Sequence, residues 1–585
     1  MAGQLSGPPR WEQDVFAGDV TGSGEWTVYG LPVRRVHQYG ARLSVLGDCL
    51  ATETELQRGL TAARQGQWRE LACWPGSYWS VVDEPERTTV IGDLSGSRPV
   101  YLAAQGRAWS TRATPLAEET GAGMDTDALA ARLVTPTVPE VVRGRTPYTG
   151  IRRVEPGRLV HLTAQGAHTV PYEQDLLRPA TNADDTLAEA LLLGVRRRVA
   201  AVDGQVSGDF SGGMDSTSIT LLAARTTNTP MVGVLLIDAV SSNGDDVLHA
   251  RRAASEEPLI RLYEVTNRHW LFDDLEQAPA TDLPFSDACR WATRFGYQRV
   301  AQCEGSSLHL TGSAGDLLLS SHPRHLAELA RRGEWREMLR QATAWARMRH
   351  LPVASTIAAV ARASRLSRRA ALAQLAKTLG TPAPPAQRSD PRHGLAWAAQ
   401  GGAAAWLTAE AREQLVRSVR AAAEETPAVP PGATTLMGEL HEFGAYEAEL
   451  RQQVASTGIT VHAPFLDNTV VRACMAWPWY RRQNLDGPKR QLVMALQGLV
   501  PDVILGRGSK SAYTGSAYAG LRRNADTVRG LVEDSWLAKA GVIDPNVART
   551  DTARLLAGAP GPFAALETLC STELWIRQHQ GAAHA

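Results

Sequence analysis

Phe210-Ser211-Gly212-Gly213-Met214-Asp215-Ser216-Thr217-Ser218 is the stretch from which the rest of the chain is read. Gln205 to Phe210 (QVSGDF) leads in and is only half apolar, so it reads as a strand mainly from the turn and helix next to it. Thr217 to Arg225 (TSITLLAAR) reads as a helix. Strand, glycine-rich turn and helix together form an anion cradle. Glycines let backbone N–H groups approach an oxyanion closely, and a helix N-terminus adds partial positive charge. The hydroxyls of Ser211, Ser216 and Thr217 supply further donors. Asp215 is the odd member, because a carboxylate among phosphate donors repels phosphate. It makes sense if it holds a divalent cation that bridges to the phosphates. The stretch is not a Walker loop, which requires GxxxxGK[ST]. A Gly-Ser turn ahead of an ordinary core helix is the plain alternative, so the remaining motifs must decide.

The stretch resembles the SGGxDS pyrophosphate loop of the N-type ATP pyrophosphatases, enzymes that cleave ATP between the α and β phosphates and adenylate a substrate. Thr311-Gly312-Ser313-Ala314-Gly315-Asp316 resembles the [ST]-G-[EY]-G-[AS]-D loop of asparagine and β-lactam synthetases. The resemblance implies that Asp215 and Asp316 are Mg²⁺ ligands and that ATP is held by Ser211, Gly212, Gly213, Asp215, Ser216, Thr217 and Gly312. Two positions depart from it. Leu317 stands where asparagine synthetases have Glu, and Ser313 stands where they have Glu and β-lactam synthetases have Tyr. Both positions face the acceptor in those enzymes, so the departures argue against aspartate as acceptor and mark Ser313 as a site residue of a different pocket.

Two more segments come in the order that family has them. Val461-His462-Ala463-Pro464-Phe465-Leu466-Asp467 resembles V-R-x-P-F-L-D, with His462 in place of Arg, and reads as mainly structural. Leu505-Gly506-Arg507-Gly508-Ser509-Lys510, after Val500-Pro501-Asp502-Val503-Ile504, resembles the loop that carries a catalytic lysine. Lys510 falls one residue later than that pattern asks. It is the candidate for stabilising charge on the α-phosphate and the tetrahedral intermediate, and Arg507 the candidate for pyrophosphate. Lys489 and Arg490, on the preceding helix, are the lower-ranked alternatives.

Composition sets the outer bounds. At 585 residues the chain is too long for one core. With 44% apolar and 21% charged residues it is an ordinary globular sequence. Sixty-one basic residues balance 61 acidic ones, which selects neither nucleic acid nor an anionic membrane. Six scattered cysteines with no CxxC pair argue against a disulfide scaffold or zinc site. No apolar signal core and no run of about 18 apolar residues is visible, so a cytoplasmic location is expected.

From Trp26 to about Leu162 the text is strand-like and turn-rich, with helices read over Thr52–Gln65 and Asp125–Leu133, which predicts an α+β domain with a mainly antiparallel sheet. Thr52 and Glu55 are spaced as a capping box. Gly92-Asp93-Leu94-Ser95-Gly96-Ser97-Arg98-Pro99-Val100-Tyr101, Trp74–Trp79 and Thr146–Gly157 resemble segments of class II glutamine amidotransferase domains. The resemblance implies an Ntn-hydrolase-like fold. That family uses an N-terminal cysteine exposed by removal of Met, whereas Ala2 follows Met1 here. The domain is therefore expected to be an inactive, glutaminase-like scaffold, and the amine to come from elsewhere than glutamine. The expected division is residues 1–180 for this domain, a polar linker at Ala180–Asp184, and 181–585 for the synthetase-like domain. Within the latter, strands at 205–210, 230–238, 258–265 and 308–311 alternate with helices (one over 286–303), which predicts a doubly wound parallel α/β sheet with helical additions. Ligands then sit beyond the strands' carboxyl ends.

Arg324–Lys377 reads as helical and basic, with 12 Arg or Lys against 3 Asp or Glu, inside an insertion of about 324–435. It is either a solvated helical addition or a surface that steers an acidic or peptidic substrate. Thr381–Gly394 and Glu425–Thr435 read as mobile loops, either of them a candidate lid. Upstream of the Val461 motif lie Tyr446, Glu447, Glu449 and Arg451. In β-lactam synthetases a glutamate from this region helps deprotonate the attacking amine, a role open here to Glu447 or Glu449, with a solvent-facing helical carboxylate as the alternative.

The resemblance, over roughly residues 26–520, implies two-step chemistry with ATP and Mg²⁺. A carboxylate is adenylated, then an amine displaces AMP to leave an amide. Among superfamily branches lacking the N-terminal cysteine, the lasso peptide cyclases suit Ser313, the basic insertion and the 16 Trp best. The expected substrate is then a core peptide, with a leader peptidase and a leader-recognition protein as partners. A β-lactam synthetase-like small-molecule ligase and a catalytically degenerate binding scaffold stay open as alternatives.

Overall fold

The computed structural model describes residues 16–19, 26–28, 32–103, 106, 108–142, 144–174, 176–178, 183–238, 244–294, 305–320, 322–381, 394–455, 458–482, 489–507 and 514–582. The first part of the chain builds strands β1 (Phe16–Asp19), β2 (Trp26–Val28), β3 (Val33–Gln38), β4 (Ala41–Cys49), β5 (Gly76–Glu84), β6 (Arg87–Ile91), β7 (Tyr101–Ala103), β8 (Ala108–Ser110), β9 (Ile151–Arg153), β10 (Arg158–Thr163) and β11 (Gly166–Pro171). They form two antiparallel sheets, β2-β1-β8-β7-β9 and β11-β10-β6-β5-β4-β3. Strand β5 shows why. Trp79 and Val81 face the other sheet, where they meet Val100 and Trp109. Tyr78 and Val82, one residue out of step, face the helix Glu53–Arg64 through Leu56 and Leu60. The two-residue period of a strand thus feeds two cores at once. Thr52 caps that helix with the expected reciprocal box to Glu55.

The second part contributes β12 (Gln205–Asp209), β13 (Met231–Asp238), β14 (Ile260–Asn267), β15 (Ser306–Leu310) and β16 (Thr460–His462), all parallel, in the order β14-β13-β12-β15-β16. The chain runs outward from β12 to β14, then returns to the other side of β12. The order reverses between β12 and β15, where a crevice opens at the carboxyl ends. Buried His309 ties these two strands, with Nδ1 2.8 Å from Ser207 Oγ and Nε2 3.1 Å from Asp209 Oδ1.

Several boundaries differ from the sequence reading. Ala183 and Asp184 already belong to the helix Ala183–Ala200, so they are not linker. Glu425–Thr435 is not one loop, because Pro431 opens the long helix Pro431–Ala455. Proline is pre-set for a first helical turn, where its missing N–H costs nothing. Of the helix expected over 286–303, residues 286–294 are described, with 286–287 a turn and Ala288–Arg294 a 3-10 helix, and residues 382–393 of the Thr381–Gly394 loop lie outside the described residues. The basic segment is helical, but it is not simply solvated. Arg368 is fully buried and ion-paired with Glu140, while Arg324 is buried against Glu439.

The two parts share their cores. Leu43, Tyr78 and Ile91 pack in one cluster with Leu187, Leu191 and Leu466. Asp93 collects Ser77 (2.9 Å), Ser95 (2.8 Å) and Ser97 (2.6 Å), which folds the amidotransferase-like Gly92–Tyr101 motif into a tight turn. The helix Pro431–Ala455 lies directly on that turn, since a Cβ on Gly444 would collide with the Ser95 carbonyl oxygen.

Candidate active site

The turn after β12 and the turn after β15 meet in the crevice. A Cβ on Gly312 would lie 2.5 Å from Ser216 N, and one on Gly315 would lie 2.5 Å from Asp215 Cγ. Only hydrogen fits at either place, so the glycines of the second motif are there to let the two turns touch. The first loop folds on itself. Gly212 adopts φ +76° and its N–H donates to Thr217 Oγ1 at 3.0 Å, while Gly213 N–H donates to Ser211 Oγ at 3.2 Å. Ser211 and Ser216 hydroxyls lie 2.8 Å apart. Thr217 is fully buried and serves the loop's shape, whereas Ser211 is exposed. The helix Met214–Thr227 begins three residues before the sequence reading placed it, which puts Asp215 and Ser216 in its first turn. Its N-cap is Gly213, which has no side chain to satisfy the first amides, so these remain suited to an anion.

Asp215 and Asp316 converge on one cation, the ammonium of Lys489. Lys489 Nζ pairs with Asp215 and lies 2.7 Å from Asp316 Oδ1. Lys489 sits at the N-cap of the helix Arg490–Leu496 with a left-handed φ of 55°, which turns its side chain back into the crevice. The ammonium marks the point where both carboxylates can hold a positive charge. Among the described residues no group of three or more His, Cys, Asp or Glu gathers. A magnesium ion here would therefore take its remaining oxygens from phosphate and water, a common arrangement for that ion. The donor set fits.

Arg507 is 6% exposed, donates to the Gly212 carbonyl at 2.6 Å and pairs with Asp246. It lies beneath the loop and fixes its backbone. Lys510 lies outside the described residues. Ser313 N–H donates to Thr311 Oγ1 at 3.4 Å, and Thr311 N–H donates to the His462 carbonyl at 2.9 Å, so the turn hangs from β16. His462 itself is packed and paired, its Nε2 3.0 Å from Asp48 Oδ1.

The two glutamates singled out as bases are both buried, not solvent-facing. Glu449 accepts from Leu283 N–H at 3.0 Å, and burial, with Asp282 beside it, pushes its carboxyl up to about 8. Arg112 and Arg153 of the first part also act on it and oppose that rise. Glu447 is 1% exposed in the same helix.

Beside Asp316 lies a cavity of about 580 Å³. Its lining includes Asp316, Leu317, Arg324, Glu439 and the rings of Trp345, Trp397 and Trp479. Trp397 and Trp479 pack edge to face at 6.0 Å. Sequence reasoning ranked Lys489 below Lys510 and missed Glu439. The first was read as lying on the helix, whereas it stands at the helix N-cap. The second had none, since nothing local distinguishes it from the other glutamates of its helix.

Residues 186–577 match the asparagine synthase family, well over half of the chain. The chain belongs to the asparagine synthase family. Like other members of that family, it is an ATP-dependent carbon–nitrogen ligase, an amide-forming enzyme in the general sense. Among solved structures it is similar to the glutamine phosphoribosylpyrophosphate amidotransferase from B. subtilis complexed with ADP and GMP, at 14% identity and a TM-score of 0.19 over 53% of this chain and 87% of that one. It is similar also to a structure described as the allosteric regulatory enzyme of purine biosynthesis, at 13% identity and a TM-score of 0.18 over 44% of this chain and 75% of that one. No curated protein sequence matches the chain. No helix among the described residues is long and apolar enough to cross a membrane.

Proposed function

We propose that this family member is a lasso peptide cyclase. It adenylates an Asp or Glu side chain of a leaderless core peptide and joins that carbonyl to the peptide's N-terminal amine, releasing pyrophosphate and AMP. The observation that carries the reading is the cavity of about 580 Å³ that opens from Asp316, walled by the helical insertion and three tryptophans. It is larger than an aspartate side chain needs, and its aromatic walls suit a folded peptide. A second feature supports an amine other than ammonia from glutamine. The only cysteines of residues 1–180 are Cys49 and Cys73. Burial pushes the Cys49 thiol up to about 12 and raises that of Cys73 as well, so neither supplies a thiolate.

In this reading the uncapped first turn of the Met214–Thr227 helix and the hydroxyls of Ser211 and Ser216 hold the phosphates. Asp215 and Asp316 would hold a magnesium ion, which when bound would supply neutralisation of phosphate charge. Lys489 offers its ammonium to the leaving pyrophosphate, while Lys510 is assigned the developing oxyanion. The walls of the cavity exclude water from the acyl adenylate and hold the amine close to it. A leader peptidase and a leader-recognition protein would supply the peptide. The test is mass spectrometry of leaderless core peptide incubated with enzyme, ATP and Mg²⁺. Loss of one water from the peptide with one AMP released is expected. AMP release with only small carboxylates and amines would refute the cyclase and favour a β-lactam synthetase-like ligase. No AMP with either would favour a binding scaffold.

A further inference from the structure

Asp48 of the first part is a fixed anion at the boundary with the second. It stands near the end of β4, opposite Ser77 of β5. Arg98, from the amidotransferase-like Gly92–Tyr101 turn, donates to Asp48 Oδ2 at 2.8 Å and to the Ser77 carbonyl at 3.1 Å. Arg451, on the helix Pro431–Ala455, lies 3.9 Å from the same Asp48 oxygen. The backbone is pinned as well, since a Cβ on Gly76 would fall 1.8 Å from the Asp48 carbonyl oxygen. Burial acts to raise the Asp48 carboxyl, yet His462, Arg98 and Arg451 outweigh it and hold the group well below the usual carboxylate range.

His462 carries that anion's hold into the second part. Its Nε2 lies 3.0 Å from Asp48 Oδ1, and the two side chains are 13% and 15% exposed. His462 ends β16, a strand of three residues at the edge of the parallel sheet, paired to β15. So short a strand has few ladder bonds, and its local stability is low without further anchors. Its last carbonyl accepts the N–H of Thr311, the residue that opens the turn bearing Asp316. The chain beyond β16 is fixed separately. Phe465, Leu466 and Asp467 are fully buried, and Asp467 pairs with Arg198. Loss of the His462 pair therefore loosens the end of β16 and the turn hung from it, while the packing on the far side stays in place.

We propose that Asp48 is a positioning residue of the synthetase site, which through His462 fixes the Thr311–Asp316 turn and so the placement of Asp316 beside Asp215. The inference rests on the reading of those two aspartates as the ligands of magnesium. Asp48 touches neither metal nor substrate. The first part then serves the reaction mechanically, by holding one of the two carboxylates where both reach one cation. Outer partners of metal ligands act in this way, and their loss costs about tenfold to a hundredfold in metal affinity. Asp48 acts from further out, so the lower end of that range applies.

The test uses three variants. Asp48→Asn keeps the shape and removes the charge, His462→Ala removes the ring but keeps the strand carbonyl, and His462→Arg puts a cation back opposite Asp48. Free Mg²⁺ is titrated at saturating ATP, with the melting temperature as readout, which needs no acyl substrate and is independent of the cyclase reading. ATP/pyrophosphate exchange is followed beside it, with whichever carboxylate the wild-type enzyme adenylates. Expected in Asp48→Asn and His462→Ala is a half-saturating Mg²⁺ concentration raised about tenfold, with exchange at saturating Mg²⁺ within about threefold of wild type. His462→Arg should return the half-saturation toward the wild-type value. A lower melting temperature with unchanged half-saturation would mark a merely structural contact and overturn the assignment, as would a failure of His462→Arg to differ from His462→Ala. Should Asp48→Asn fail to fold, the two His462 variants carry the test. Asp316→Ala separates the two levels. If it abolishes the Mg²⁺ response while the other variants titrate as wild type, the positioning role alone falls; if it too titrates as wild type, the magnesium reading falls and takes the positioning role with it.

Discussion

Replacing Gly315 by alanine tests the site with little disturbance of the fold. Gly315 opens the short helix Gly315–Leu319, and its φ lies outside the left-handed region, so alanine is compatible with its backbone. Alanine for glycine at a helix position is favourable by up to about 1 kcal/mol, which offsets part of the about 1–3 kcal/mol that local overpacking costs. The new methyl group, however, would lie 2.5 Å from Asp215 Cγ and 2.7 Å from Asp215 Oδ1. Nine in ten real contacts of this kind are longer than 3.4 Å, so carboxylate and turn must separate by about 0.9 Å. That distance is the difference between two carboxylates that share one cation and two that do not. A displacement near 1 Å in a site built on positioning costs on the order of a hundredfold in rate. ATP/pyrophosphate exchange across a range of Mg²⁺ concentrations measures this, beside a thermal melt of the same protein. The expected result is exchange lowered by about a hundredfold, partly recovered at high Mg²⁺, with a melting temperature within a few degrees of wild type. Exchange within about threefold of wild type at every Mg²⁺ concentration would refute the reasoning, since Asp215 would then tolerate a displacement that the shared-cation geometry forbids.

Lys489→Met removes the ammonium from between Asp215 and Asp316. Exchange should fall by about a hundredfold, while Mg²⁺ raises the melting temperature more than it does in wild type, because the metal no longer competes with a lysine; an equal Mg²⁺ shift in both proteins would sink this account. Glu449 gives a pH prediction. Its folded carboxyl titrates at about 8 against an ordinary value of 4.5, so between those values the folded state holds a proton that the unfolded state has lost, and stability falls as pH rises through the window. Glu449→Gln should flatten the denaturant midpoint between pH 5 and pH 8 and stabilise the protein at the upper end by a few kcal/mol; an unchanged slope would show that the carboxyl is not held protonated.

Two kinds of information separate in this chain. Those elements were legible whose cause is local. Thr52 and Glu55 close a capping box because the interaction spans three residues. The Phe210–Ser218 turn and the Thr311–Asp316 turn are legible because a loop that brings backbone to a phosphate needs glycine and hydroxyl residues in a fixed short pattern, and strands alternating with helices imply a parallel sheet whose carboxyl ends hold them. Arg368 and Arg324, read as part of a basic surface, are buried because Glu140 and Glu439 come to them across 228 and 115 residues. No window of sequence carries that. The same is true of the site's charges. Lys489 reaches Asp215 across 274 residues, and Arg507 reaches Gly212 across 295. Sequence by itself determined the two glycine-rich turns and the family, and with it the general reaction class. Only the tertiary structure decided which cation faces the two aspartates and which glutamate faces the cavity, because an electrostatic partner is chosen by distance and burial in space, and both are set by packing among segments far apart in the chain.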